Sequence, residues 1–167
     1  MRTRNQIILH SLVAKHGTLA LDLDIVHKLR FDGLETSDTK IRAFLDAGFT
    51  TRELRGMIGD MFIPGIGFLL DIERQGEARA ALLRDAEQLI HLTAAAGAKA
   101  IEVITGPIDL AALEPDAPTT RPKLYRGVVG LPEGEQIEIT ARNLAKVADL
   151  AAAQGLLIYY EALSGRP

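Results

Sequence analysis

Short apolar runs alternate with longer helix-patterned segments along the chain, and this alternation restricts the fold more than any other feature. Strands and helices in alternation are typical of βαβ units around a parallel sheet. The predicted strands are residues 7–9, 31–35, 63–70, 100–104 and 156–160. The sequence therefore predicts an α/β fold of the (β/α)8 TIM-barrel type, with about five of the eight strand–helix units that such a barrel needs.

Two of the predicted helices have particularly clear patterns. Residues 77–96 carry an apolar stripe at helical spacing and are followed by Gly97, while residues 137–154 have a similar stripe and are followed by Gly155. Glycine often ends a helix because it adopts the left-handed conformation without strain. Shorter helices are predicted over residues 19–29, 38–47 and 50–58.

The length of the chain limits how much of a barrel it can form. Its 167 residues are enough for one domain, and we expect a single domain over residues 1–167. A complete (β/α)8 barrel usually has about 250 residues and rarely fewer than about 200. We therefore expect the N-terminal part of a barrel, which stops shortly after its fifth strand.

Composition excludes several classes of protein. The net charge is -3 and no run of lysine and arginine is present, which argues against nucleic-acid binding. No segment approaches the ~20 apolar residues of a membrane span, so we expect no membrane partner and a cytoplasmic protein. The absence of cysteine excludes disulfides and thiolate metal sites.

Glu161 is the strongest candidate functional residue. It follows the apolar and aromatic strand 156–160, at the end of a strand where barrel active sites are built. A carboxylate in a partly buried barrel mouth needs a metal, a cation or a raised pKa. The alternative is an exposed glutamate in a salt bridge.

Other polar residues follow the earlier strands. Glu35 and His10 stand at the ends of the second and first strands and are candidates for substrate binding, although each could instead have a structural role. Asp71 and Glu73 follow the third strand, and one of them could face the site, although a solvated turn is favoured. Glu102 lies within the fourth strand, and we expect its side chain to point outward or to pair with a helix.

Two further features of the sequence concern proline and glycine. Residues 106–134 contain five prolines and predict a long irregular segment, either a cover over a substrate or a variable surface insertion. Residues 65–67 read Gly-Ile-Gly, which is too short a glycine pattern to indicate a dinucleotide site.

Several segments together resemble one family. Phe31–Glu35 is similar to the second strand of the sugar phosphate isomerase/epimerase family, the xylose isomerase-like TIM barrels. Ala47–Glu73 resembles the family's following helix and third strand, and Ala95–Val103 resembles its fourth unit. Asn143–Glu161 is similar to its fifth unit, so the resemblance covers nearly the whole chain.

The resemblance implies a metal-dependent enzyme acting on a sugar or sugar phosphate. Members of the family bind a divalent metal, often Mn²⁺, Mg²⁺, Co²⁺ or Zn²⁺, through a Glu, an Asp, a His and a second Glu. Glu161 matches the first of these ligands, and the other three would come from later strands. The metal-bound glutamates act as acid and base in moving a proton between adjacent carbons, so Glu161 is also the catalytic candidate.

Other functions remain open at this level. An inosose dehydratase-like lyase belongs to the same superfamily, and the isolated chain is expected to be inactive in either reaction. A truncated half-barrel could instead be a non-catalytic module that binds a partner or forms a homo-oligomer through its open sheet edge. An unrelated doubly wound sheet would have at least one strand out of sequential order.

Overall fold

The computed structural model describes residues 6–106, residue 128 and residues 131–161 of the chain. Most of the predicted irregular segment 106–134 lies outside these residues. The two interpretations of that segment therefore stay predictions.

The described strands form a single parallel sheet in sequential order. Sequential order is what a strand–helix barrel requires, so the interpretation as a doubly wound sheet with a displaced strand is wrong. The strands are β1 (Ile8–His10), β2 (Gly33–Ser37), β3 (Gly65–Leu69), β4 (Ala100–Ile104) and β5 (Leu157–Glu161).

Helices connect successive strands, as the alternating sequence pattern predicts. The first connection also contains a short 3-10 helix, Ser11–Ala14. The α-helices are α1 (Leu19–Leu29), α2 (Asp38–Asp46), α3 (Thr51–Ile58), α4 (Gly76–Ala96) and α5 (Glu133–Ala152).

Helix ends follow local chemistry. Gly97 takes the left-handed conformation, with φ of 72°, and ends α4 as predicted. Helix α5 begins at Glu133 instead of the predicted Ile137. Glu133 and Glu135 occupy its first turn, where negative side chains interact favourably with the positive end of the helix dipole.

The main core lies between the sheet and the helices. Leu34, Ile66 and Ile101 point from three neighbouring strands into this layer and are fully buried with Leu82 of α4 and Val147 of α5. Because side chains alternate along a strand, residues one position away point to the opposite face of the sheet. That opposite face carries the polar residues described below.

Asn143 joins α5 to the connection between β3 and α4. Its buried side-chain amide donates hydrogen bonds to the carbonyls of Ile72 (2.7 Å) and Arg74 (2.9 Å). Its side-chain oxygen accepts a 2.7 Å hydrogen bond from Arg79 Nε. One buried residue therefore fixes the segment that follows β3.

Within the described part of the chain, no helix has both the length and the apolar character needed to cross a membrane.

Candidate active site

A cavity of about 670 Å³ opens where the strands end. Its polar wall includes the three residues predicted to bind substrate or metal, His10, Glu35 and Glu161, although they are widely separated in the chain. The full lining is His10, Leu12, Glu35, Phe68, Leu70, Glu102, Ile104, Tyr159 and Glu161.

Strand register brings these side chains together. His10 in β1 pairs with Glu35 in β2, and Glu102 in β4 pairs with Tyr159 in β5. Glu161 pairs with Ile104, two residues further along the same two strands. Because paired residues of parallel strands point to the same face, the register places them on one concave wall.

Two glycines of β3 provide the space for the middle of the site. A Cβ atom on Gly65 would lie 2.7 Å from the Tyr159 hydroxyl oxygen, and one on Gly67 would lie 2.7 Å from Glu102 Oε2. Atoms this close would clash, so any larger residue would displace the tyrosine or the glutamate. The Gly-Ile-Gly pattern thus serves side-chain packing at the site.

The expectation that Glu102 points outward or pairs with a helix is wrong. Glu102 lines the cavity and is only 4% exposed. Its neighbours Ile101 and Val103 are fully buried in the layer between sheet and helices, so the alternation of β4 turns Glu102 to the other face. The position of Glu102 between the apolar residues Ile101 and Val103 is the sequence signal that could have predicted its direction.

The environment of Glu102 favours its neutral form. Burial, a hydrogen bond with Glu161 and the negative charges of Glu35 and Glu161 together raise its pKa to about 8, and a hydrogen bond from Tyr159 opposes this rise. At neutral pH the group is therefore mainly a protonated carboxylic acid. It holds a proton that it can donate to Glu161 or to a bound molecule.

Tyr159 lies between two of the acids. Its hydroxyl group donates a hydrogen bond to Glu35 Oε1 and lies 3.4 Å from Glu102 Oε2. Burial and these neighbouring carboxyl groups raise the pKa of Tyr159, so it remains a neutral donor. Tyr159 lies in an apolar and aromatic stretch of sequence, and this pattern does not predict a polar contact at the site.

His10, Glu35 and Glu102 form a group that could hold a metal ion. Each side chain offers one ligand atom, and these atoms lie within 4.8 Å of one another. However, His10 Nδ1 accepts a 3.2 Å hydrogen bond from the backbone N–H of Leu12. In the neutral ring the proton then resides on Nε2, which makes this nitrogen a donor in the observed arrangement.

Asp71 and Glu73 do not line the cavity. Asp71 pairs with Arg74 at 3.4 Å. Glu73 is buried, and its carboxylate accepts hydrogen bonds of 2.7 and 2.9 Å from the backbone N–H of Gly106. The predicted solvated turn is therefore wrong for Glu73, which instead connects the segments that follow β3 and β4.

Comparison of the fold with solved structures places this site in a known architecture. The IolI protein with a bound zinc atom superposes with a TM-score of 0.77 at 13% identity, covering 95% of this chain and 52% of that one. A xylose isomerase-like TIM barrel/4-hydroxyphenylpyruvate dioxygenase fusion protein gives a TM-score of 0.68 at 22% identity, covering 98% of this chain and 22% of that one. The chain has the fold of about half a xylose isomerase-like TIM barrel. The predicted α/β architecture is therefore confirmed.

D-psicose 3-epimerase, solved in the presence of D-fructose, matches with a TM-score of 0.64 at 16% identity over 92% of this chain and 51% of that one. Structures with this fold thus include epimerases, and one described as a probable 3-DHS dehydratase. The chain spans about half the length of IolI and of this epimerase. No family model and no curated protein matches the sequence.

Proposed function

We propose that this chain contributes to a divalent-metal-dependent sugar isomerase or epimerase, which moves a proton between adjacent carbons. One observation carries the proposal: three glutamates and a histidine converge on one cavity at the strand ends of a xylose isomerase-like fold. Strand ends are where TIM-barrel enzymes build their active sites.

The residues present fit a divalent cation. Carboxylate oxygens are good ligands for Mn²⁺ and Mg²⁺, and Glu161 is the proposed first ligand, with Glu35 and Glu102 within the same cavity. A cation would also relieve the mutual repulsion that raises the pKa of Glu102. When bound, the metal would polarise the substrate's oxygens and acidify the neighbouring C–H.

Each polar side chain has a proposed role toward the sugar. Glu161 takes or returns the transferred proton, and protonated Glu102, hydrogen-bonded to Glu161, supplies a second exchangeable proton beside it. His10 Nε2–H donates to a substrate hydroxyl, while Glu35 accepts from one. Phe68 provides an apolar surface for the C–H face of the sugar ring.

The charge of the cavity favours an unphosphorylated sugar. Glu35, Glu102 and Glu161 place acidic groups on the same wall. A phosphate dianion close to these groups would be repelled, whereas neutral hydroxyls donate hydrogen bonds to carboxylates. We therefore favour a neutral sugar over a sugar phosphate as the substrate.

Metal binding by the intact chain tests the proposal. We expect calorimetric titration with MnCl₂ to show one site, weakened at least about tenfold in Glu161→Gln because a charged ligand is lost. Glu138→Gln, an exposed change on α5, is the matched control and should bind as the wild type does. Equal Mn²⁺ affinity in wild type and Glu161→Gln would overturn the assignment.

The reaction type needs a separate measurement, made on the complete barrel to which this chain is proposed to contribute, because the isolated chain is expected to be inactive. With Mn²⁺ present, an isomerase or epimerase exchanges a sugar C–H with solvent deuterium, which NMR detects. A lyase of the inosose dehydratase kind would instead release water from the substrate and form an unsaturated or keto product. Loss of water without any isomeric product would favour the lyase.

A non-catalytic binding module is the second candidate, and the edge of the sheet favours it. In β5, Leu157 is 71% exposed and Tyr160 is 44% exposed. Exposed apolar residues on an edge strand are suited to pairing with another strand. Under this reading a second copy of the chain covers the edge.

A further inference from the structure

A buried ion pair lies behind the wall that carries His10. Lys40 of α2 is 7% exposed and Asp22 of α1 is fully buried. Lys40 Nζ lies 2.9 Å from Asp22 Oδ1 and 2.7 Å from Asp22 Oδ2. Burying two charges has a large desolvation cost, and apolar residues of similar size are often equally stable at such positions, so core stability alone does not account for the pair.

The same ammonium group also holds the 3-10 helix that follows β1. Lys40 Nζ donates to the carbonyl of Ser11 at 3.1 Å and to that of Ala14 at 2.9 Å. Ser11 and Ala14 are the first and last residues of this helix. The Ala14 carbonyl also accepts a 2.7 Å hydrogen bond from the backbone N–H of Gly17, so Lys40 adds a second donor there. By contacting both ends of the 3-10 helix, the ammonium group attaches this helix to α2.

His10 depends on this 3-10 helix for its orientation. It is the residue immediately before Ser11, and its Nδ1 accepts the backbone N–H of Leu12 within the helix. A shift of Leu12 would break that hydrogen bond. The Nε2–H form of the neutral ring would then lose its advantage over the Nδ1–H form.

We propose that Lys40, held by Asp22, is a positioning residue that fixes the tautomer and direction of His10 by anchoring the Ser11–Ala14 helix. The connection runs from the ammonium group to two carbonyls, then to the Leu12 N–H, and finally to His10 Nδ1. The inference rests on the proposed function only for the substrate-binding role of His10. The positioning itself is a property of the free protein.

The test reads the His10 tautomer directly. The double variant D22L/K40M replaces the ion pair with apolar residues of similar size, so that neither charge is left buried alone. The matched control is D24L/K28M, which removes the exposed Lys28–Asp24 ion pair of 2.7 Å on α1. Nitrogen-15 NMR of the full chain, without metal or sugar, gives the Nε2–H to Nδ1–H ratio, and His10→Gln identifies the His10 signals.

We expect the wild type and the control to show mainly the Nε2–H form. In D22L/K40M the ratio should fall about fivefold, the effect of losing one ordinary hydrogen bond. An unchanged ratio in this folded variant would overturn the proposal. If D22L/K40M does not fold, the polar variant D22N/K40Q is measured against the same criterion.

Failure of this inference and failure of the proposed function are distinguishable. The tautomer ratio is measured without Mn²⁺, so it can change even if the chain binds no metal. Conversely, an unchanged ratio would leave the Mn²⁺ titration and its dependence on Glu161 unaffected.

Discussion

Glu102 links the protonation of the site to the stability of the protein. Its pKa is about 8 in the folded chain, against 4.5 for an unperturbed glutamate. Between these two values the folded state holds a proton that the unfolded state has released. The contribution of Glu102 to the free energy of unfolding is therefore fully present below about pH 4.5. It decreases as the pH rises and is lost above about pH 8.

Replacement of Glu102 by glutamine should flatten the pH dependence of stability. Relative to Glu102→Gln, the wild type should lose free energy of unfolding from pH 5 to pH 8, by no more than about 1.4 kcal/mol per pH unit. Urea denaturation at several pH values measures the difference. Glu138→Gln should follow the wild-type profile, and a Glu102→Gln profile parallel to the wild type would contradict the raised pKa.

The sequence could predict residues of the candidate site only where their position at the end of a strand is enough to identify them. His10, Glu35 and Glu161 each end a predicted strand, so the general position of barrel active sites selects them. Glu102 is flanked by core residues, and its direction depends on which face of β4 the helices cover. Tyr159 has a hydroxyl group that contacts the acidic residues of the cavity, but its ring is otherwise apolar, so a hydrophobic pattern does not distinguish it.

At the scale of elements, a few buried polar contacts hold the connections between strands and helices. Asn143 is the clearest case, since it bonds two carbonyls of the segment after β3 and the side chain of Arg79. Phe68 and Leu70, beside this segment, line the cavity. The hydrogen bonds of α5 therefore contribute to the shape of the site.

Asn143→Leu should destabilise the chain by about 2–4 kcal/mol. The leucine has a similar volume, but it leaves the buried carbonyl of Ile72 and the partly buried carbonyl of Arg74 without these donors. The free energy of unfolding in urea measures the loss. Arg142→Ala changes the exposed neighbour on the same helix and should alter stability by less than about 0.5 kcal/mol. Similar losses of stability in both variants would show that the hydrogen bonds of Asn143 contribute little to folding.

Element type was predictable from sequence more reliably than element bounds. Alternating apolar runs and helical stripes gave all five described strands and the helices between them. The predicted third strand, residues 63–70, shortens to Gly65–Leu69, where the pairing with β4 is irregular. Such irregularity depends on contacts between distant strands, which local pattern does not contain.

At the scale of the whole molecule, the described sheet has two edges, β1 and β5. Backbone groups along an edge strand can pair with another chain, and lysine on the edge opposes this pairing. Leu157→Lys should therefore weaken any self-association through β5. Sedimentation velocity across a concentration series measures the effect.

Ile137→Lys is the control for this experiment, because Ile137 is 61% exposed but lies on α5. The second candidate function predicts a concentration-dependent dimer in the wild type and in Ile137→Lys, and a monomer in Leu157→Lys. A wild type that stays monomeric at all concentrations would contradict association through this edge.

Carboxylates from three strands, Glu35, Glu102 and Glu161, are proposed to form one cation site at the strand ends. The test is a crystal structure of the chain grown with MnCl₂, with anomalous scattering recorded at the manganese edge. We expect an anomalous peak in the cavity, within bonding distance of Glu161 and of at least one of Glu35 and Glu102. A cavity without manganese, or manganese bound only elsewhere on the chain, would contradict it.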